Sequence, residues 1–495
     1  MRILRAIFKW GLRGLLVVAV VLLIFWTVVR VSRAHYRALA LTTPAAFIVE
    51  NAPVIALTHA RVIDGTGTPA LNDQTLILQG GLIAAYGAAD ALAVPAGARL
   101  LNLSGKTVMP GLVMMHEHLF TIAPNFSKTP LGVEQDVPFP VMYLGAGVTT
   151  MRTAGSIDGG ADLALKRAID SGARAGPDIF LTAPYLEGKP ALFPQMGELS
   201  GPDDARERVD KWAAAGMSSF KAYMHISPEE LRAAIDEAHA KGLKITGHLC
   251  SVGFTEAADM GIDNLEHGIV VDEEFFPGKQ EGVCPDQLAA FRDFDQRVDI
   301  RSAEVQAMIR HLVDHHVAMT STLAVFADFS MAGETLAAMK EREQRALSWQ
   351  SWLKFRLVRS FFSKHPFANS LSKEMQFERD FAAAGGLLMA GSDPTGDGGT
   401  LAGYADQEEI ELLVRAGFSP VEAIHIATAN GAAFLGQSAR IGTIAQGKQA
   451  DLVVIDGDPS RRIADIRNVE IVFRKGVGYS SEKLFSSVRG LVGVQ

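Results

Sequence analysis

The stretch VMPGLVMMHEHLF, residues 108–120, decides the fold class of this chain. An apolar run ends there in two histidines that are two residues apart, and in a β-strand such a pair points to one face of the sheet. His116 and His118 can therefore hold one metal ion, although a pair of structural histidines explains this motif alone equally well. The choice between the two interpretations depends on the rest of the chain.

Three further polar residues end apolar runs at the point where a loop begins. They are His248 in LKITGHLCS (243–251), His267 in IDNLEHGI (262–269) and Asp393 in GGLLMAGSDPTG (385–396). In a barrel of parallel strands these ends meet at the carboxyl-terminal face. Each residue alone is most simply a structural one. The three strand ends, taken together with the histidine pair, favour a metal site.

The organisation of the chain supports a barrel of this kind. Between residues 111 and 435, short apolar strands alternate with amphipathic helical segments, which predicts an α/β fold with a (β/α)8 TIM barrel. Residues 44–110 and 436–480 consist instead of short strands separated by Gly and Asp turns. We expect these two regions to form one small β-sandwich built from both ends of the chain.

Composition excludes several classes of protein. With 495 residues, 48% of them hydrophobic and 21% charged, the chain can bury a large core. The net charge of −8, without basic runs beyond the N-terminus, excludes a nucleic-acid surface. Only Cys250 and Cys284 are present, which excludes a disulfide scaffold and a cysteine zinc site. Two buried free thiols are favoured over a single bridge, and the sequence leaves homo-oligomer formation open.

The first 40 residues predict a membrane anchor with its linker. An apolar run from Leu15 to Val29, interrupted only by Thr27, has arginines on both sides. An uncleaved N-terminal transmembrane helix is favoured over a cleaved signal peptide or a buried helix. Basic residues are slightly denser before the run than after it, which predicts export of the catalytic body to the periplasmic or extracellular side.

Seven segments resemble, in order, the landmarks of the amidohydrolase superfamily. They are PGLVMMHEHL, AGVTTMR, HLCS, LEHG, AGSDP, AIHIATANGAAFLG and GTIAQGKQADLVVID. Within the superfamily, the chain is most similar to the prolidase-like and imidazolonepropionase-like branch, whose members include dipeptidases and hydrolases of N-acylated amino acids. The resemblance covers nearly the whole chain after residue 50.

The resemblance implies a cofactor of two divalent metal ions, with zinc as the expected metal. It assigns six metal ligands, which are His116, His118, Lys221, His248, His267 and Asp393. Lys221, in GMSSFKAYM (216–224), takes the place of the family's carboxylated, metal-bridging lysine. An ammonium group would repel two cations, whereas a lysine carbamate offers two anionic oxygens. The alternative for Lys221 is an ordinary surface lysine.

The resemblance also implies an activity. We expect hydrolysis of an amide bond in a small substrate, a dipeptide or an N-acyl amino acid, by a hydroxide that bridges the metals. Asp393 would carry the proton to the departing amine. The alternatives are a lactone, ester or phosphotriester hydrolase on the same site, and an inactive membrane-tethered binding protein.

Three residues are candidates for contact with the substrate. If the strand of Lys221 continues, Tyr223 and His225 face the same side as Lys221, so Tyr223 can donate to the developing oxyanion and His225 can contact the substrate. Arg152 can pair with a substrate carboxylate. Thr153 stands where an aspartate often follows this arginine in the family, and a structural salt bridge is the alternative role for Arg152. For Tyr223, the alternative is a place in the core.

Overall fold

The computed structural model describes residues 2–122, 131–330, 341–362, 367–395 and 399–493. Nineteen strands lie within these residues. They are β1 (Ile48–Glu50), β2 (Val54–Val62), β3 (Leu71–Gln79), β4 (Leu82–Ala88), β5 (Arg99–Asn102), β6 (Thr107–Pro110), β7 (Leu112–Glu117), β8 (Phe120–Ile122), β9 (Gly132–Glu134), β10 (Val148–Thr153), β11 (Asp178–Phe180), β12 (Ser219–Ala222), β13 (Lys244–Gly247), β14 (Asn264–Glu266), β15 (Ala318–Ser321), β16 (Leu388–Ala390), β17 (Leu452–Ile455), β18 (Val469–Arg474) and β19 (Val477–Ser480).

Helices separate most of the strands in the middle of the chain. The α-helices of the described residues are α1 (Arg2–Ala40), α2 (Pro138–Ala146), α3 (Gly159–Asp170), α4 (Pro202–Ala215), α5 (Pro228–Ala240), α6 (Phe254–Met260), α7 (Gln287–Arg297), α8 (Ala303–Asp314), α9 (Leu323–Ser330), α10 (Glu341–Gln344), α11 (Trp349–Phe362), α12 (Ser370–Ala383), α13 (Tyr404–Ala416), α14 (Pro420–His425), α15 (Gly431–Phe434) and α16 (Ser481–Ser487). A π-helical turn, Ile426–Asn430, joins α14 to α15. Single 3₁₀ turns span Pro44–Ala46, Ile269–Val271 and Ile463–Arg467.

Both ends of the chain contribute to one nine-stranded sheet. Its order is β1-β19-β18-β17-β6-β2-β3-β4, and β5 pairs with β2. The ends are joined where β17 runs antiparallel to β6, with Leu452 opposite Pro110 and Ile455 opposite Thr107. The sequence predicted a small β-sandwich built from both ends of the chain. A single sheet forms instead, because β6 pairs with strands from both ends of the chain.

Eight parallel strands from the middle of the chain lie in two further sheets, ordered β11-β10-β7 and β12-β13-β14-β15-β16. Single bridges link the two sheets at one seam, where Thr182 pairs with Ser219 and Leu186 with Ala222. At the other seam, the backbone amide of Asp393 donates to the carbonyl of His116 over 3.0 Å. These bonds place the ends of β7, β12, β13, β14 and β16 around one region.

Burial explains why these strands are short apolar runs. Every residue of β7, β10, β12, β14, β15 and β16 is buried, as expected for parallel strands covered by helices. The helices begin at clear signals. Ser227 and Glu230 form a capping box at the start of α5, with Pro228 in its first turn. Buried strands and capped helices together fix the positions of the polar residues that follow each strand.

The prediction of a membrane-anchored, exported protein is wrong. Among the helices of the described residues, none combines the length and the hydropathy that a membrane crossing requires. The end of α1 packs against the protein instead. Leu39 is buried in the main hydrophobic core, and the Tyr36 hydroxyl donates a 2.7 Å hydrogen bond to Asp136.

The preference for two free thiols is also wrong, because Cys250 and Cys284 form a disulfide. Their Cα atoms are 5.0 Å apart, within the range that a bridge requires. Cys250 lies two residues after His248, and Cys284 lies in the segment that leads into α7. The bridge therefore ties the loop after β13 to a chain segment 34 residues further on.

Candidate metal centre

Two buried histidines at the end of β7 begin the candidate metal centre. His116 and His118 are 0% and 2% exposed, and their ring centroids are 5.3 Å apart. The Nδ1 atom of His118 is buried and has no hydrogen-bond partner among the described residues. A buried polar atom without a partner is costly unless something else binds it.

Asp393 lies opposite the histidine pair, directly after β16. Its Oδ1 is 3.1 Å from Nε2 of His118 and 3.8 Å from Nε2 of His116. Its Oδ2 is 3.9 Å from Nδ1 of His267. Asp393 and His267 both have positive φ angles, 49° and 71°, which residues other than glycine rarely adopt. Such strained conformations concentrate at functional sites.

His248 and His267 complete a ring of aromatic contacts. The His267 ring lies 4.4 Å from that of His116 and 4.6 Å from that of His248, measured between centroids. The Tyr223 ring is 4.9 Å from that of His248. Four histidines from three strand ends therefore surround Asp393.

Lys221 lies at the end of β12 and points into the same cluster. Its side chain is buried, and Nζ is 3.2 Å from Nε2 of His116. The rings of Tyr185 and Tyr223 flank it, with centroids 6.0 and 5.9 Å from Nζ. Burial lowers the pKa of Lys221 to about 8. The structure thus brings all six predicted ligands together.

Glu266 lies behind this cluster and was not identified from the sequence. Its Oε2 accepts a 2.8 Å hydrogen bond from Nδ1–H of His116, and its Oε1 accepts a 2.6 Å bond from Arg152. The Arg152 guanidinium also donates to Thr246 over 3.3 Å. The sequence signal that could have identified Glu266 is a carboxylate inside the buried strand β14.

Electrostatics fix the protonation states of these groups. Burial, followed by the charge of Lys221, lowers the pKa of His116 to about 4 and that of His248 to about 3. Burial alone would raise the pKa of Asp393. The charge that His116 carries when it is protonated at low pH, and the hydrogen bond and charge of His118, instead hold this pKa well below the usual range. The histidines are therefore neutral and the carboxylate is ionised.

These states and positions fit a divalent metal ion. Metal binding requires neutral imidazoles and ionised carboxylates. The ligand atoms of His116, His118 and Asp393 all lie within 4.8 Å of one another. The hydrogen bond from His116 to Glu266 leaves Nε2 with its lone pair directed into the cluster, as in metal sites whose histidines donate their other nitrogen to a carboxylate.

The predicted substrate contacts lie at different places. Tyr223 borders the cluster, and burial, with the charges of Asp393 and Glu187, raises the pKa of its hydroxyl. The backbone amide of His225 donates to Glu187 over 2.7 Å, and its Nδ1 is 3.6 Å from the second oxygen of Glu187. Arg152 is 1% exposed and faces Glu266.

Comparison with known proteins shows the family to which this chain belongs. The family model described as "Amidohydrolase family" matches residues 107–477, well over half of the chain. The chain belongs to the amidohydrolase family. This match supports the predicted superfamily and the predicted enzyme class, a hydrolase that acts on carbon–nitrogen bonds. Amidohydrolases generally bind divalent metals.

The similar proteins are hydrolases. Over 212 residues the chain is 26% identical to the enamidase of Eubacterium barkeri, a match covering 40% of this chain and 50% of the enamidase. The chain thus spans about half the length of the curated relative that it matches. A solved structure from Bifidobacterium longum, provisionally assigned as a prolidase, is 26% identical to this chain and has a TM-score of 0.62. The match covers 87% of this chain and 95% of that one.

A solved Xaa-Pro dipeptidase with methionine bound in its active site has a TM-score of 0.64 to this chain. The match covers 86% of this chain and 100% of the dipeptidase, at 19% sequence identity. At that identity the likeness concerns the fold alone.

Proposed function

We propose that this amidohydrolase is a metal-dependent enzyme that cleaves the amide bond of a dipeptide or an N-acyl amino acid. The observation that carries the proposal is the convergence of His116, His118, Lys221, His248, His267 and Asp393 from the ends of five strands. The relative named a prolidase, at 26% identity, supports the choice of substrate class.

We include the closed (β/α)8 barrel in this proposal, with domain boundaries at residues 110/111 and 435/436. The support is the pair of hydrogen-bonded seams between the two parallel sheets. Enzymes of this architecture place their active sites at the carboxyl-terminal ends of the barrel strands. The six candidate ligands lie at such ends.

The six residues would hold two divalent metals, with zinc as the expected metal and Lys221 as a carbamate. Bound divalent metals supply Lewis-acid activation of water and polarisation of the substrate carbonyl. The surroundings of Lys221 support the carbamate. Its Nζ faces a ring nitrogen of His116 over 3.2 Å, and an ammonium there would repel the metals.

Asp393 and Tyr223 would move protons and stabilise charge. Asp393 is ionised and lies within the cluster, so it can accept a proton from the attacking water and return it to the leaving amine. Burial and the charges of Asp393 and Glu187 raise the pKa of Tyr223, which keeps its hydroxyl protonated and able to donate to the oxyanion. His225, in the turn that follows β12, would contact the substrate.

The contacts of Arg152 support a positioning role over the predicted contact with a substrate carboxylate. The guanidinium donates to Glu266, Thr246 and Thr182, and it is buried behind the candidate ligands. Arg152 would fix Glu266, and Glu266 would fix the ring of His116. The alternative given for Arg152 above, a structural salt bridge, agrees with this geometry.

The experiment that tests the function combines chelation with a substrate library. Purified enzyme is assayed on free-acid dipeptides and N-acyl amino acids before chelation, after it, and after zinc is returned. We expect turnover of at least one such amide, loss on chelation and recovery with metal. Full activity in the chelated enzyme would contradict the metal dependence, and turnover of esters or lactones alone would contradict the substrate class.

A further inference from the structure

A second cluster of imidazole and carboxylate groups lies outside the buried centre, where the carboxyl ends of α6 and α8 meet. Asp259 is the next-to-last residue of α6, His311 lies in the last turn of α8, and His315 caps that helix. We propose that Asp259, His311 and His315 form a separate binding site for a transition-metal dication such as zinc.

The distances suit a tetrahedral ion. Nε2 of His311 is 2.9 Å and Nε2 of His315 is 3.5 Å from Oδ1 of Asp259. Ligands bound at about 2.0–2.1 Å around a tetrahedral zinc ion lie about 3.3–3.4 Å from one another. The two distances to Asp259 therefore need to change by only a few tenths of an ångström, and ligand atoms of all three residues lie within 4.8 Å of one another.

The tautomer of His315 also suits a ligand. Its Nδ1 lies 2.8 Å from the backbone carbonyl oxygen of His311, and that oxygen can only accept. Nδ1 therefore carries the proton, and Nε2 keeps its lone pair toward Asp259. Metal-binding histidines usually donate their other ring nitrogen in this way. The spacing of four residues places both histidines on one face of α8, with ring centroids 4.1 Å apart.

The local charges favour a cation. Both helices end at this point, so the negative ends of their dipoles face the cluster. Arg232 is the neighbouring cation, and its guanidinium donates to the backbone carbonyls of Met260 and Asp259 over 2.9 and 3.5 Å. The carboxylate of Asp259 is thereby left to the two histidines.

The site is open to solvent. The side chains of Asp259, His311 and His315 are 58%, 30% and 39% exposed. A metal can therefore reach it from solution without unfolding of the chain, and its remaining coordination positions would hold water. Occupation would link α6, which follows β13, to α8, which precedes β15.

The test measures zinc bound per chain by equilibrium dialysis and elemental analysis, at a fixed free zinc concentration, in the full-length enzyme with its buried centre already loaded. We expect the wild type to bind one more equivalent than His311→Ala, His315→Ala or Asp259→Asn. The matched control is His239→Ala. His239 is an exposed histidine 2.9 Å from Asp263. Among the described residues the two belong to no group of three ligands, so removal of His239 should leave the zinc content unchanged.

Thermal unfolding gives an independent result. Added zinc should raise the midpoint of the loaded wild-type enzyme and of His239→Ala, because a ligand that binds only the folded state stabilises it. His311→Ala should lack this rise while keeping its amide turnover, which shows that it is folded. Equal zinc content in the wild type and all three cluster variants would overturn the proposal, as would an equal loss in His239→Ala.

Discussion

The two clusters contain the same kinds of side chain and differ in their surroundings. His116, His118 and Asp393 lie in the interior, whereas Asp259, His311 and His315 lie at the surface. The histidines of the buried cluster are at most 2% exposed. A residue pattern alone does not make a catalytic site, because desolvation determines how strongly the charges of the site act on a substrate.

The two clusters also differ in the residues that hold their ligands in place. Behind the buried histidines, Glu266 holds His116, and Arg152 holds Glu266. At the surface, Nδ1 of His315 donates to the backbone carbonyl of His311 and not to a carboxylate. Side chains that hold metal ligands in place contribute strongly to affinity and rate. We therefore expect changes in and behind the buried cluster to affect catalysis, and changes in the surface cluster to affect metal content alone.

The largest effect is expected at Lys221. A carbamate contributes one negative charge and two oxygens, so Lys221→Ala should lose at least one metal and lower kcat roughly 10²-fold or more. Lys221→Arg should be no better, because its guanidinium stays cationic where the site requires an anion. Metal content and steady-state kinetics on the best dipeptide measure both effects.

Chemical rescue provides the control for Lys221. Acetate or propionate, added with metal, should restore part of the activity of Lys221→Ala by filling the vacated space. It should do little for His248→Ala or Asp393→Ala, which lose a neutral ligand and a proton carrier. Near-normal turnover in Lys221→Ala, with its metal content unchanged, would show that the lysine is not a metal ligand.

The next effect is expected at Glu266. Glu266→Gln keeps the shape but removes the charge that His116 and Arg152 share, so metal affinity or kcat should fall about 10- to 100-fold. The matched control is Asp263→Asn, which makes the same chemical change beside the exposed His239. Zinc titration and kinetics compare the two variants. Equal behaviour of Glu266→Gln and Asp263→Asn would disprove the positioning role of Glu266.

A smaller effect is expected at Arg152. In Arg152→Lys the side chain keeps its charge but loses the planar guanidinium that donates to Glu266 and Thr246. The variant should lower kcat roughly tenfold, which is the lower end of the loss seen when residues that hold metal ligands are changed. KM for dipeptides should stay near the wild-type value, because the guanidinium is buried and bonded to Glu266, Thr246 and Thr182. A change in KM alone would restore the role of carboxylate recognition.

The smallest effect on catalysis is expected at the surface cluster. His311→Ala should change kcat and KM by less than about twofold, and unfolding free energy without added zinc by no more than about 0.5 kcal/mol. Kinetics and denaturant unfolding measure these values. A large loss of activity would show that the surface cluster and the buried centre are coupled, which would contradict the expectation that the surface cluster affects metal content alone.

The sequence predicted the buried cluster well because its signals are local. Alternation along β7 places His116 and His118 on one face, and the apolar runs before His248 and Asp393 mark strand ends. A family resemblance added Lys221. These signals need no knowledge of how distant segments pack.

What the sequence did not predict depends on distant partners. Glu266 and Arg152 are 114 residues apart, and only the order of the strands brings them together. The spacing of His311 and His315 is visible in the sequence, but Asp259 lies more than 50 residues earlier, on another helix. The bridge between Cys250 and Cys284 depends in the same way on the packing of loops.

The central claim is that the buried cluster holds the metals on which amide hydrolysis depends. Elemental analysis of the His311→Ala enzyme tests it most directly, because that variant keeps the buried cluster while lacking the proposed surface site. We predict two equivalents of divalent metal per chain, and the loss of at least one equivalent when Lys221→Ala is added. A metal content that is unchanged by Lys221→Ala, or a metal-free enzyme that still hydrolyses amides, would contradict the account.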